Sequence, residues 1–69
     1  LMYQLEKNFE EYLNSVRVNR ACELLISTDA SVMDIALEVG YHNAKTLTRN
    51  FVKHKLMTPQ SFRTAATER

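Results

Sequence analysis

The residues in this chain best suited to chemistry are Lys45, Thr46, Arg49 and Lys53. On a helix advancing about 100° per residue from Lys45, Arg49 falls at about 40°, Lys53 at about 80° and Thr46 at about 100°. Leu47, Phe51 and Ala44 fall at about 200°, 240° and 260°. One helix would thus carry apolar anchors on its back and hydrogen-bond donors on its front. A guanidinium bonds bidentately to the O6 and N7 edge of guanine, an ammonium does so less rigidly, and Thr meets a base edge or a thymine methyl. Asn43, just ahead, is a good N-cap, and the positive end of the helix it starts favours a nearby phosphate. The plainer reading is a solvated amphipathic face with no ligand.

Charge distribution sharpens the choice. The chain has nine Lys and Arg against eight Asp and Glu, a net charge of +1. From Leu1 to Glu38 there are seven acids against three cations. From Val39 to Thr67 there is no acid, and the cations are Lys45, Arg49, Lys53, Lys55 and Arg63. Such a stretch is a candidate polyanion-facing surface.

Other chemistries find little support. His42 and His54 stand apart with no Cys or carboxylate cluster around them, so neither a metal site nor a cofactor is expected. Cys22 is the sole cysteine; it reads as a small buried hydrophobe rather than a redox sensor. Asp34 and Glu38 are cap and surface residues, and no nucleophile–base arrangement points to an enzyme. Apolar runs such as Leu24-Leu25-Ile26 are too short for a membrane span or a signal peptide, which leads us to expect a cytoplasmic protein.

The elements that must position these residues follow from composition. A chain of 69 residues allows one domain, and one Gly with one Pro leaves most of it free to be helix. We expect an all-α bundle of four helices. The first is predicted from about Phe9 to Ile26, capped by Asn8 with Glu11 completing a capping-box pattern, while residues Leu1 to Lys7 either extend it or fray. Its stripe is read as Phe9, Leu13, Val16, Arg20 and Leu24, widened by Tyr12, Ala21, Cys22 and Leu25. Arg17 and Arg20 interrupt it, either lying along its edges or pairing with Glu. Ser31 and Asp34 start a second helix, Val32–Val39, with Val32, Ile35, Ala36 and Val39 on one face and Gly40 closing it. Met33 and Leu37 fall off that face, as exposed residues or as cover for a neighbouring unit. The third runs from Ala44 to about His54. Thr58-Pro59 opens the last, Pro59 to about Ala66, which offers Phe62 to the core. Two short helices joined by a Gly-containing turn, the second one basic, describe a helix-turn-helix.

These residues carry a resemblance. Asp34-Ile35-Ala36-x-x-Val39-Gly40-Tyr41, then Leu47-Thr48-Arg49-x-Phe51, then Thr58-Pro59-x-x-Phe62-Arg63 resemble the second helix-turn-helix of the AraC/XylS transcription regulators. The run Lys45-Thr46-Leu47-Thr48-Arg49 is similar to the MarA/SoxS/Rob branch. Upstream, Phe9-x-x-Tyr12-Leu13-x-x-x-Arg17-x-x-x-Ala21-x-x-Leu24-Leu25 resembles the family's linker helix. The resemblance implies a homeodomain-like three-helix core on a long linker helix, with residues 8–69 as linker plus second helix-turn-helix and residues 1–7 as the tail of a missing first one. It implies a bacterial regulator of the nucleoid that binds double-stranded DNA, with the helix 44–54 in the major groove. Ala44, Lys45, Thr46 and Arg49 match base-facing positions; Asn43, Thr48, Lys53 and Thr58 are candidate backbone contacts. RNA polymerase is a second implied partner, and the chain by itself is expected to dimerise through surface that the first unit covers. Two departures matter. Leu56 stands where the family usually has Gly, which calls for a longer third helix or a strained turn. Val52 stands where Lys or Arg is common. The competing reading is a helical protein–protein module whose basic face meets an acidic partner without reading DNA.

Overall fold

The computed structural model describes residues 2–68; Leu1, within the expected 1–7 tail, and Arg69 lie outside the described residues. Four helices follow in order: α1 (Met2–Ser27), α2 (Val32–Val39), α3 (Ala44–Lys55) and α4 (Pro59–Thr67). The last three match the sequence reading to within a residue or so, because each is fixed by local caps. Ser31 sits in extended backbone and its Oγ accepts the Asp34 amide at 3.0 Å. At the other end of α2, Gly40 has φ 109°, and the amides of Gly40 and Tyr41 donate to the carbonyls of Leu37 and Ala36. This is the paired 5→2 and 6→1 closure that a left-handed residue permits. Thr58 Oγ1 accepts the Ser61 amide at 3.1 Å, and Pro59 fills the first helical position, where a missing N–H costs nothing.

Two expectations about α1 are corrected. The helix begins by Met2, so Asn8 is an interior residue and not a cap. No Gly or Pro lies between residues 2 and 9, and extending an existing helix is far cheaper than starting one. The buried face matches the stripe read from the sequence only in the C-terminal half, at Ala21, Cys22, Leu24 and Leu25; Val18 joins it and the N-terminal members do not. Val18, Ala21 and Leu25 are the buried residues of α1, with Cys22 and Leu24 partly covered. Phe9, Tyr12 and Val16 are exposed. The apolar residues of the N-terminal and C-terminal halves lie on different sides, and one window across both blends them.

The core gathers Val18, Ala21 and Leu25 of α1, Ile35 and Ala36 of α2, Tyr41 of the turn, and Leu47 and Phe51 of α3. Phe62 of α4 closes it, its ring 5.5 Å from that of Phe51 at an interplanar angle of 72°, the edge-to-face arrangement aromatic pairs prefer. Val32 and Val39 pack at its margin, whereas Met33 and Leu37 are exposed. Cys22 rests against this cluster, and burial pushes its thiol up, which keeps it protonated.

Arg63 departs from its expected role. Its Nε donates to the Leu25 carbonyl at 3.1 Å and its guanidinium NH2 to the Thr28 carbonyl at 3.0 Å. A cation from α4 thereby satisfies carbonyls at the C-terminus of α1, where the helix dipole favours positive charge.

The third helix ends at Lys55, and Leu56 takes φ 62°, ψ 25°, its amide donating to the Val52 carbonyl at 2.9 Å. Of the two outcomes anticipated for this position, the strained turn is the one found. A side chain in this region costs about 1–2 kcal/mol, and Leu56 is 86% exposed, so no packing offsets it. Leu56→Gly is expected to stabilise the fold by about 0.5–1 kcal/mol after the larger chain entropy of Gly, raising the melting midpoint by about 2–8 °C. Thermal circular dichroism of the two proteins measures this.

Candidate nucleic-acid interface

Asn43 launches α3. It sits in extended backbone (φ −159°, ψ 167°), and its Oδ1 accepts both the Thr46 amide at 2.8 Å and the Thr46 hydroxyl at 2.9 Å. Cap and first turn are thus locked together, and the Thr46 hydroxyl has a defined direction. Four residues later the Asn50 amide donates to the Thr46 carbonyl at 3.0 Å. Leu47 and Phe51 are fully buried, which pins the rotation of α3 about its axis. That rotation leaves Lys45, Arg49 and Lys53 exposed, while Ala44, Thr46 and Thr48 are half-buried beside them. Among the described residues the single ion pair, Arg20 to Glu23 at 3.2 Å, lies on α1. Among the described residues no carboxylate makes an ion pair with the three cations of α3, although Glu6 and Glu10 of α1 line the same groove as Arg49 and Lys53.

Not all of the acid-free stretch joins this face. Arg63 is taken up by the α1 carbonyls, and Lys55 is half-buried at the end of α3. Asn43 and Thr58, both exposed, spend their side-chain oxygens on helix caps. His42 is exposed in the turn.

Two residues that sequence reasoning did not assign position α3. Asn14 Oδ1 accepts the Tyr41 hydroxyl at 2.7 Å, and the Arg17 guanidinium lies 5.3 Å from the centre of the Tyr41 ring. Arg17 also closes over Gly40, where an added Cβ would come within 3.1 Å of its Nε. The long helix thus grips the turn between α2 and α3 by a hydrogen bond and a cation–π contact. Burial pushes the Tyr41 phenol up, against the opposing pull of Arg17, so its proton stays in the bond to Asn14. The sequence signal for Arg17 was a cation interrupting an apolar helix; nothing local marks Asn14.

Two short helices at a Gly turn, the second held by its back with its cationic front in solvent, define a helix-turn-helix DNA-binding domain. The comparisons with known proteins narrow this. A family model described as "Helix-turn-helix domain" matches residues 3–65, and the chain belongs to this AraC-type helix-turn-helix family of transcription regulators. The melibiose operon regulatory protein of Escherichia coli K12 is 31% identical over 65 residues, which cover 94% of this chain and 22% of that protein. The probable transcription factor PqrA of Proteus vulgaris is 42% identical over 53 residues, covering 77% of this chain and 43% of that protein. The crystal structure of the C-terminal domain of the two-component response regulator yesN from Fusobacterium nucleatum superposes with a TM-score of 0.78 at 29% identity, covering 88% of this chain and 63% of that one. The chain thus spans less than half the length of these two curated relatives. It is a DNA-binding domain of a family of transcription regulators. Among the described residues no helix is long and apolar enough to cross a membrane.

Proposed function

We propose that this chain reads sequence in the DNA major groove through residues 44–54. Lys45 and Arg49 reach base edges, Thr46 and Ala44 line the approach, and Asn43, Thr48, Lys53 and Thr58 contact the phosphate backbone. One observation carries this reading: Leu47 and Phe51 are fully buried while Lys45, Arg49 and Lys53, on the same helix, are exposed and make no ion pair among the described residues. Arg49 then serves as the bidentate donor to guanine, and Ala44 is limited to apolar contact with a thymine methyl. Residues 8–69 act as linker helix plus second helix-turn-helix of a longer bacterial regulator working at the nucleoid, with residues 1–7 as the tail of a first unit. By itself the chain pairs with a second copy through its uncovered apolar surface. Contact with RNA polymerase would leave the reading face free for DNA.

Selection of bound sites from random duplex DNA tests the reading, followed by mobility shifts across a salt series. Lys53→Ala is expected to weaken binding to all duplexes alike and to reduce the slope of log affinity against log salt by about one. A protein that enriches no sequence, and whose weak binding ignores Lys53, would be the protein–protein module instead.

A further inference from the structure

The guanidinium of Arg49 shares its surroundings with a carboxylate that the DNA reading leaves without a role. On α1, Glu10, Asn14 and Arg17 follow at spacings of four and three residues, so they form one edge of the helix. That edge is held against the turn before α3 by contacts inside this chain. Asn14 accepts the Tyr41 hydroxyl, and Arg17 lies over the Tyr41 ring. On α3, at about 100° per residue from Lys45, Asn50 falls at about 140°, between the cationic front and the buried back. Two hollows run along the border where the two helices meet. The inner one is lined by Glu10, Asn14, Arg17 and His42 with Thr46 and Arg49. The outer one is lined by Glu6, Lys7 and Glu10 with Arg49 and Lys53. Glu10 and Arg49 thus border both hollows, whereas Glu6 borders only the outer one. Arg17 is taken up by Tyr41, which leaves Arg49 as the free cation of the inner hollow.

We infer that Glu10 is a specificity-determining residue, whose carboxylate steers Arg49 toward a base edge and away from phosphate. The inference rests on Arg49 as the base reader. A bidentate bond to guanine leaves the guanidinium with further N–H groups, and a carboxylate, which only accepts, can take one and hold the plane of the group. Beside a phosphate the same carboxylate meets a like charge, which costs affinity. Binding to unrelated DNA is almost wholly a matter of phosphates, whereas the specific complex adds base contacts. Glu10 therefore penalises the first more than the second, a repulsive element working beside an attractive one. In the chain without DNA the two side chains make no ion pair, so Arg49 is not withheld from the groove. Both are exposed and free to close on each other once a base edge fixes Arg49.

Competition mobility shifts of the chain on its selected site and on unrelated duplex test this. Glu10→Gln should tighten binding to unrelated DNA while leaving the selected site no tighter, so that the ratio of the two affinities falls about threefold or more. The loss of discrimination should fall at the base pair where Arg49→Ala also loses it. Glu11→Gln, the same charge change one residue along, should move both affinities together. In an Arg49→Ala background, Glu10→Gln should no longer alter the ratio. Glu10 is exposed, so the variant should melt like the parent. An equal gain on both DNAs for Glu10→Gln overturns the inference, as does a change in ratio that survives without Arg49. If Arg49→Ala discriminates between the two DNAs and Glu10→Gln does not, only the role of Glu10 falls. If Arg49→Ala weakens both alike, the base reading falls and takes this inference with it.

Discussion

Truncating Phe51 to alanine is expected to remove about 3–5 kcal/mol, about a third or more of what holds the chain folded. Phe51 is fully buried, is the largest such side chain, and stands edge-on to Phe62. Removing a buried Phe costs about 3–5 kcal/mol, the lost transfer energy plus the cavity left behind. A domain of this length holds about 3–10 kcal/mol in total, at about 0.05–0.15 kcal/mol per residue. Phe51→Leu keeps most of the volume and should cost only about 1–1.5 kcal/mol. Urea titrations followed by far-ultraviolet circular dichroism separate the two. If Phe51→Ala melts within about 1 kcal/mol of the parent, the core does not converge on this ring, and the orientation of α3 needs another explanation.

Arg49→Ala is expected to reduce affinity for the selected site by about 5–150-fold, or about 1–3 kcal/mol, with far less effect on unrelated duplexes. Arg49 is exposed, makes no ion pair among the described residues, and sits one turn beyond Thr46, whose hydroxyl is fixed by the Asn43 cap. Because the side chain bears no core contact, the variant should melt like the parent, which separates lost recognition from lost fold. The informative contrast is with Lys53→Ala. A base-reading residue changes which sequences are preferred; a phosphate-contacting one changes all affinities together. Competition shifts against a panel substituted at each base pair resolve them. Equal losses on specific and unrelated DNA for Arg49→Ala would move that residue to the backbone and leave Lys45 as the remaining charged base reader.

The sequence by itself determined α2, α3 and α4, and which way α3 faces. Ser31 with Asp34, Asn43 with Thr46, and Thr58 with Ser61 each close a cap within three residues, and Gly40 closes α2 through carbonyls no further back than Ala36. Leu47 and Phe51 declare the buried side of α3 because they are one turn apart and, Val52 aside, their chain neighbours are polar. These interactions are complete inside one or two turns of chain, so local spacing contains them. Even the conflict at Leu56 was legible, since a left-handed position without Gly must strain whatever surrounds it.

The tertiary structure alone decided what α1 does. Its two halves offer apolar residues on opposite sides, and packing against α2, α3 and α4 selected Val18, Ala21 and Leu25 over Phe9, Tyr12 and Val16. Arg63 looked like one more cation of the acid-free stretch until its guanidinium met carbonyls 38 and 35 residues away. The bond from Tyr41 to Asn14 spans 27 residues. Long-range contacts of this kind leave no periodic trace, because the energy depends on which surfaces meet rather than on which residues are neighbours along the chain.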